Sequence, residues 1–169
     1  MKTLIILAHP DFEKSIVNKA YLTALKEKSS DITVNDLYKL YPDWKFNVKA
    51  EQQLLLDHDR IIFQFPVYWF NMTTLLKKWL DDILLFGWAY GPSGDKMKGK
   101  EIGISATAGA PLEVYQPFDL PKALSSFEIM TNFMGAEFLS FHCFYATMAP
   151  DAKERLEESI IEYINFVLQ

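Results

Sequence analysis

The chain has 169 residues, half of them apolar, with a formal charge of −5 and one cysteine, Cys143. That length is one domain's worth, residues 1–169, and the apolar share can bury a core without metals or disulfides. The acidic balance argues against nucleic acid as a partner, and a lone cysteine excludes an intramolecular disulfide and favours a reducing compartment.

Residues 3–8 form a short apolar run, the pattern of a parallel strand covered on both faces. The run stops at His9-Pro10-Asp11, too short for a membrane span and without a cleavage signature, so a cytoplasmic location is expected. Residues 15–28 carry helical spacing, with Ile16, Ala20, Leu22 and Leu25 as core candidates. Residues 32–37 read as a weaker strand and residues 38–47 as an aromatic-rich loop. Residues 48–57 read as a helix and residues 60–65 as a strand that Pro66 ends. Residues 73–86 return to helical spacing. Trp79 and Leu80 are its packing residues, and Lys77, Lys78, Asp81 and Asp82 its solvated face. Residues 87–98, with Gly91, Pro92 and Gly94, are a loop long enough to belong to a site. A strand over 99–106, a helix over 120–133, a strand over 137–144 and a closing helix over 151–167 complete the chain. Acids in the first turns of that last helix suit the positive end of its dipole. Five strands separated by helices specify a three-layer α/β domain with a parallel sheet.

Parallel strands bring their C-terminal ends to one edge, where ligands of open α/β folds bind. Three loops at such ends have unusual content. In the first, running from His9 to Asn18, Ser15 is placed to cap a helix whose leading amides at Ile16, Val17 and Asn18 form an anion pocket. His9, Ser15 and Asn18 add side-chain hydrogen bonds, and phosphate is the natural guest. A capped helix with an incidental histidine is the plainer alternative. Neither a GxGxxG nor a GxxxxGK pattern is present, so a dinucleotide fingerprint and a P-loop both fail. In the second loop, Pro66-Val67 precedes three consecutive aromatics, Tyr68, Trp69 and Phe70, a shelf for a planar ring or else an apolar cluster or subunit interface. In the third, Thr107-Ala108-Gly109-Ala110 lets a ligand approach the backbone closely, although alone it is an ordinary tight turn. Cys143 reads as a small buried hydrophobe, His58 as a surface or capping residue, and His142 is left without a role.

Over nearly its whole length the sequence resembles the small bacterial NAD(P)H:quinone oxidoreductases of the flavodoxin-like fold, including the ancillary quinone reductases of glutathione-gated potassium efflux systems. The landmarks are His9-Pro10 through Ser15 and Asn18, then Asp36-Leu37-Tyr38 and Tyr41-Pro42-Asp43. Glu51-Gln52, His58-Asp59, the run from Phe63 through Phe70, Leu75 through Asp81, and Gly87-Trp88-Ala89-Tyr90-Gly91 follow. The resemblance implies strand order 2-1-3-4-5 and a bound FMN, with FAD as the alternative flavin. NADH or NADPH is the implied hydride donor, and a quinone or related electrophile the small-molecule acceptor in a ping-pong cycle. It implies that His9, Ser15, Ile16, Val17 and Asn18 hold the phosphate. Pro66, Val67, Tyr68, Trp69 and Phe70 would line the ring, and Thr107, Ala108, Gly109 and Ala110 its other side. Tyr115 would be the catalytic residue near the reacting end, with no metal required. It further implies a homodimer, and a membrane transporter as an additional partner.

The sequence departs from the family where a Thr-Thr-Gly-Gly loop is usual: Ala106-Thr107-Ala108-Gly109 stands there, and Tyr115 is displaced by about one residue. Methyl groups at those positions are expected to narrow the approach to the ring or to exclude a backbone shape that needs glycine. Asp82 also replaces the basic residue usual after Asp81. The alternatives are a flavin-binding regulatory subunit of a transport system, a one-electron flavodoxin carrier, and a flavin-free hydrolase. The last lacks a Gly-x-Ser-x-Gly elbow and a serine partner for any of the histidines.

Overall fold

The computed structural model describes residues 1–169. Its centre is a five-stranded parallel sheet in the order β2-β1-β3-β4-β5. The strands are β1 (Thr3–Leu7), β2 (Ile32–Asp36), β3 (Arg60–Pro66), β4 (Glu101–Thr107) and β5 (Glu137–Phe144). All four pairings are parallel, and Ile5 sits in register between Val34 and Ile62. The helices are α1 (Ile16–Lys26), α2 (Leu37–Leu40), α3 (Val48–Leu56), α4 (Thr74–Ile83), α5 (Leu120–Ala123), α6 (Ser126–Phe133) and α7 (Ala152–Leu168). None is long and apolar enough to cross a membrane.

Alternation along each strand sends side chains to two cores. On one face Leu4, Ile6, Ile61, Phe63 and Phe65 pack with Trp79 of α4 and Phe127 of α6. On the other, Ile5, Leu7 and Ile62 pack with Tyr21 of α1 and with Tyr163 and Phe166 of α7. Gly103 of β4 permits that second contact: a Cβ there would stand 2.7 Å from the Phe166 ring and 2.9 Å from Ile62 Cδ1.

Polar side chains lock the layers. Glu51 of α3 is buried, and its carboxylate accepts from Asn35 Nδ2, Tyr41 Oη and Trp79 Nε1, at 2.6, 2.6 and 2.7 Å. Arg60 pairs with Glu101 at 2.6 Å and donates to the carbonyls of Val167 and Gln169, which closes the C-terminus of α7. His58 is buried rather than on the surface. Its ring joins the Leu54 carbonyl at 2.7 Å and Thr33 Oγ1 at 2.8 Å, so it caps the end of α3.

Several boundaries differ from the sequence reading. The aromatic-rich loop opens with α2, because Asp36 Oδ1 accepts from the Lys39 amide as a helix cap. α1 stops at Lys26, and its leading Ile16 is exposed while Tyr21 is buried. Pro66 is the last residue of β3: the ladder bond is made by the next amide, from Val67 to the Thr107 carbonyl at 2.8 Å. Thr73 precedes α4 and donates from Oγ1 to the Ala8 carbonyl at 3.1 Å. α4 itself ends at Ile83, and residues 120–133 split into α5 and α6. Trp79 and Leu80 pack inward, and Lys77–Asp81 and Lys78–Asp82 are ion pairs on the outer face of α4.

Candidate functional site

The C-terminal ends of β1, β3, β4 and β5 frame one cleft. Its first part, about 420 Å³, is lined by His9, Ser15, Ile16, Val17, Tyr68 and Thr147, among others. The second, about 470 Å³, lies between Trp69, Phe70, Ala110 and Tyr115. Val67, Tyr68 and Gly109 belong to both parts, so the two are continuous.

The first part is an anion cradle. Ser15 caps α1: its Oγ accepts from the Asn18 amide at 3.2 Å and from Asn18 Nδ2 at 3.0 Å. With two bonds accepted, the hydroxyl proton is left to be donated to the cleft. Ile16 and Val17 lead the helix, where an amide has no intrahelical acceptor. His9 Nδ1 accepts the Asp11 amide at 3.1 Å, which puts the proton of the neutral ring on Nε2. Burial lowers the His9 pKa, with Asp11 and Asp36 opposing, so the ring is a neutral donor at pH 7. Lys14 reaches the same cleft, held by Asp11 at 2.6 Å.

Asn18 is not where the sequence reading puts it. It is buried and does not line the cleft. Besides its bonds to Ser15, its Nδ2 donates to Thr107 Oγ1 at 3.1 Å and its Oδ1 accepts from Gln64 Nε2 at 2.9 Å. Gln64 Oε1 in turn accepts from Tyr163 Oη of α7. Asn18 is therefore a hub that ties the α1 cap to β3 and β4, and its amide and side chain are fully engaged within the fold. Its partners lie 46 and 89 residues away, beyond the reach of any local pattern.

The aromatic shelf is a tight reversal. Tyr68 and Asn71 exchange both backbone hydrogen bonds, at 2.9 and 3.1 Å, around Trp69 and Phe70. Both central residues have positive φ, +47° and +60°, as a type I′ hairpin turn requires. Glycine, asparagine and aspartate are the usual occupants. Two aromatics there store of order 1–3 kcal/mol each in backbone strain. The result is Trp69 with 92 % of its surface exposed, and Phe70 and Tyr68 about half exposed. Phe70 meets Tyr115 edge to face at 5.4 Å, and Tyr115 meets Tyr145 at 5.6 Å. Burial raises the pKa of Tyr115, so its phenol is a proton donor at neutral pH.

On the opposite rim, the Ala108 methyl, which stands where the family has a glycine, does not obstruct the cleft. Ala106 and Ala108 are buried in the core cluster, and neither they nor Ala110 has a positive φ, so no backbone shape reserved for glycine is required. The Ala108 amide donates to the Phe144 carbonyl at 2.8 Å. The Ala108 and Ala110 carbonyls accept from Thr147 at 3.1 Å and Ala146 at 3.0 Å. A Cβ added at Gly109 would meet open space. Thr147 and Met148, on the segment after β5, line the cleft and were missed from the sequence. Their only signal was position, a fourth strand end on the same edge.

Other chemistry-bearing residues lie elsewhere. Cys143 is half-buried, and burial pushes its thiol up to about 12. His142 is buried against Tyr21, Tyr163 and Phe166, and burial lowers its pKa to about 4. The loop over 87–98 packs on α6 through Tyr90 and Phe133, 5.2 Å apart, and contributes nothing to the cleft.

Known proteins match the chain over nearly its whole length. Residues 1–167 match the family described as Flavodoxin-like fold. The uncharacterized NAD(P)H oxidoreductase YrkL of Bacillus subtilis (strain 168) is 41% identical over 171 residues, covering 97% of this chain and 98% of that one. The chain belongs to the flavodoxin-like NAD(P)H oxidoreductase and quinone reductase family. Within this family it is 34% identical over 158 residues to the glutathione-regulated potassium-efflux system ancillary protein KefG of Shigella flexneri serotype 5b (strain 8401), covering 90% of this chain and 86% of that one. Among solved structures, general stress protein 14 of Treponema denticola, in complex with FMN, superposes with a TM-score of 0.91 at 37% identity, covering 99% and 98% of the two chains. An NADPH-quinone reductase from P. pentosaceus gives 0.86 at 31% identity, covering 100% and 99%. A chain described as thermophilic tryptophan halogenase from Streptomycin violaceusniger gives 0.91 at 42% identity, covering 98% of each.

Proposed function

We propose that the chain is one flavin-binding domain, residues 1–169, that binds FMN in the cleft and uses NADH or NADPH to reduce quinones and related electrophilic acceptors. The observation that carries the reading is the continuity of the cleft. A cradle of neutral and amide donors at the α1 N-terminus opens without a break onto an exposed aromatic turn with a protonated tyrosine at its far end. The relative solved with FMN supports the choice of flavin.

The residues present fit that cofactor. Ser15 Oγ, His9 Nε2 and the amides of Ile16 and Val17 would take the phosphate, with the Lys14 charge nearby. Pro66, Val67, Tyr68, Trp69 and Phe70 would hold one edge and face of the ring, and Thr107, Ala108, Gly109 and Ala110 the other rim. When bound, the flavin supplies the redox chemistry, accepting hydride from NAD(P)H and passing it to the acceptor. The chain's part is to bind, orient and donate. Tyr115, protonated and partly shielded from water, donates a hydrogen bond where negative charge develops. Asn18, Gln64 and Thr107 keep the cradle and the rim at a fixed separation.

Initial rates at several fixed acceptor concentrations test the cycle. Parallel double-reciprocal lines are expected for a donor and an acceptor that occupy one site in turn. Intersecting lines, which need both bound together, contradict it.

A homodimer is supported by an apolar face beside α4 and α6. Leu85, Phe86, Ile129 and Phe133 are exposed there around a groove of about 350 Å³ lined by Tyr90 and Met130. The similarity to KefG supports a second reading, a cytoplasmic regulatory subunit of a transport system with reductase activity secondary. No feature of the cleft favours tryptophan halogenation.

A further inference from the structure

Beyond the shelf lies a second cavity of about 480 Å³, which shares Phe70, Val114 and Tyr115 with it and adds Gln116, Phe118 and Lys122. We propose that this cavity is a subsite for the distal ring of two-ring aromatic acceptors, and that Lys122 selects acceptors with a carboxylate or sulfonate on that ring. The inference rests on the reductase reading for its chemistry, but the binding surface stands on its own.

Three observations carry it. First, the two cavities are comparable in volume and joined through Tyr115, whose ring meets Phe70 edge to face. A one-ring acceptor over the shelf would leave the second cavity to water; a fused or linked second ring would fill it. Second, the new wall is an aromatic ring with no aromatic partner. Phe118 is 59 % exposed, yet its backbone is fixed by a bond from its amide to the Tyr115 carbonyl at 2.8 Å. A positioned apolar surface left more than half exposed gains by covering another ring. Third, the outer end is polar and unengaged. The Lys122 ammonium makes no ion pair or hydrogen bond, and neither does the side-chain amide of Gln116. The other charge at that end, Asp119, accepts the Lys122 backbone amide through Oδ1 at 2.8 Å as the cap of α5. A cation and an amide with free donors suit an anionic substituent.

The net reaction is unchanged: the quinone takes up a hydride and a proton to give the hydroquinone, and NAD(P)H becomes NAD(P)+. What changes is which quinone is taken. For the FMN-loaded protein, kcat/KM is compared for 6-carboxy-1,4-naphthoquinone, its methyl ester and 1,4-benzoquinone. Phe118→Ala is expected to lower the naphthoquinone-to-benzoquinone ratio about tenfold, and Lys122→Gln to lower the acid-to-ester ratio about threefold. A second readout needs no turnover. Calorimetric titration of the flavin-free protein with 2-naphthoate should give binding about tenfold tighter than benzoate, and each substitution should weaken it. Normal turnover with both ratios unaltered overturns the subsite and leaves the reductase reading standing. Naphthoate binding that responds to both substitutions, without turnover of any quinone, supports the subsite and overturns the reductase reading. Naphthoate bound no better than benzoate, or equally by all three proteins, overturns the subsite.

Discussion

Replacing Trp69 by glycine separates the architecture of the aromatic turn from its use. The residue sits at φ +47° beside Phe70 at φ +60°, and 92 % of its surface is exposed. Almost no buried contact is therefore lost in the free protein. Relief of the left-handed strain is worth about 1–3 kcal/mol. Glycine returns about 0.5–1 kcal/mol of that through the freedom it adds to the unfolded chain. The balance runs from neutral to about 2.5 kcal/mol of added stability, or a rise in Tm of up to roughly 10 °C at about 2–4 °C per kcal/mol for a domain of this size. FMN binding should move the other way. An aromatic contact contributes about 0.5–1.5 kcal/mol beyond its area, so Kd should rise by up to about tenfold. Trp69→Asn, which tolerates the same backbone, should behave alike. Thermal melts of the flavin-free protein and fluorescence titration with FMN supply both numbers. A fall in Tm of more than about 4 °C, or an FMN affinity that does not change, refutes the reasoning.

Other perturbations probe the scaffold. Asn18→Leu leaves Ser15, Thr107 and Gln64 without their shared partner; a loss of about 2–3 kcal/mol is expected by denaturant titration, with weaker FMN binding that a change outside the cleft would not otherwise produce. Gly103→Ala drives a methyl into Phe166 and Ile62 and should cost about 1–3 kcal/mol through overpacking, with FMN affinity unaltered once the variant is folded. His142 gives a pH signature. The folded chain protonates it only near pH 4, against 6.5 for the free side chain, because burial disfavours the charge. The unfolded chain therefore binds the proton first, and the stability associated with a neutral His142 is complete above 6.5 and lost as pH falls toward 4. The difference is about 3 kcal/mol, and His142→Phe should remove that part of the pH dependence of unfolding. Identical slopes for the two proteins contradict it.

The first strand was legible because a parallel strand buried on both faces reads as an unbroken apolar run, as residues 4–8 do, and the site loops because each follows a strand-like run. What the sequence concealed was non-local. Asn18 carries the signature of a ligand-binding side chain, a polar residue in the first turn of a capped helix, yet Gln64 and Thr107 claim it from β3 and β4. Ala108 reads as an obstruction when aligned with glycine, whereas its methyl packs in the core, away from the cleft. The turn at Trp69 and Phe70 reads as aromatic but not as left-handed, since no glycine or asparagine stands at either position. Capping explains the boundary shift at Asp36, whose side chain accepts from the Lys39 amide, whereas the Thr73 hydroxyl is drawn to the Ala8 carbonyl at the end of β1.

The central claim is that this cleft holds a flavin that NAD(P)H reduces. It is tested most directly by loading the purified protein with FMN, removing the free flavin, and recording the visible spectrum before and after anaerobic NADH or NADPH, then after a quinone. Retained flavin absorbance that bleaches with the nucleotide and returns with the quinone is the predicted result. Flavin that is not retained, or that is retained and does not bleach with either nucleotide, contradicts it.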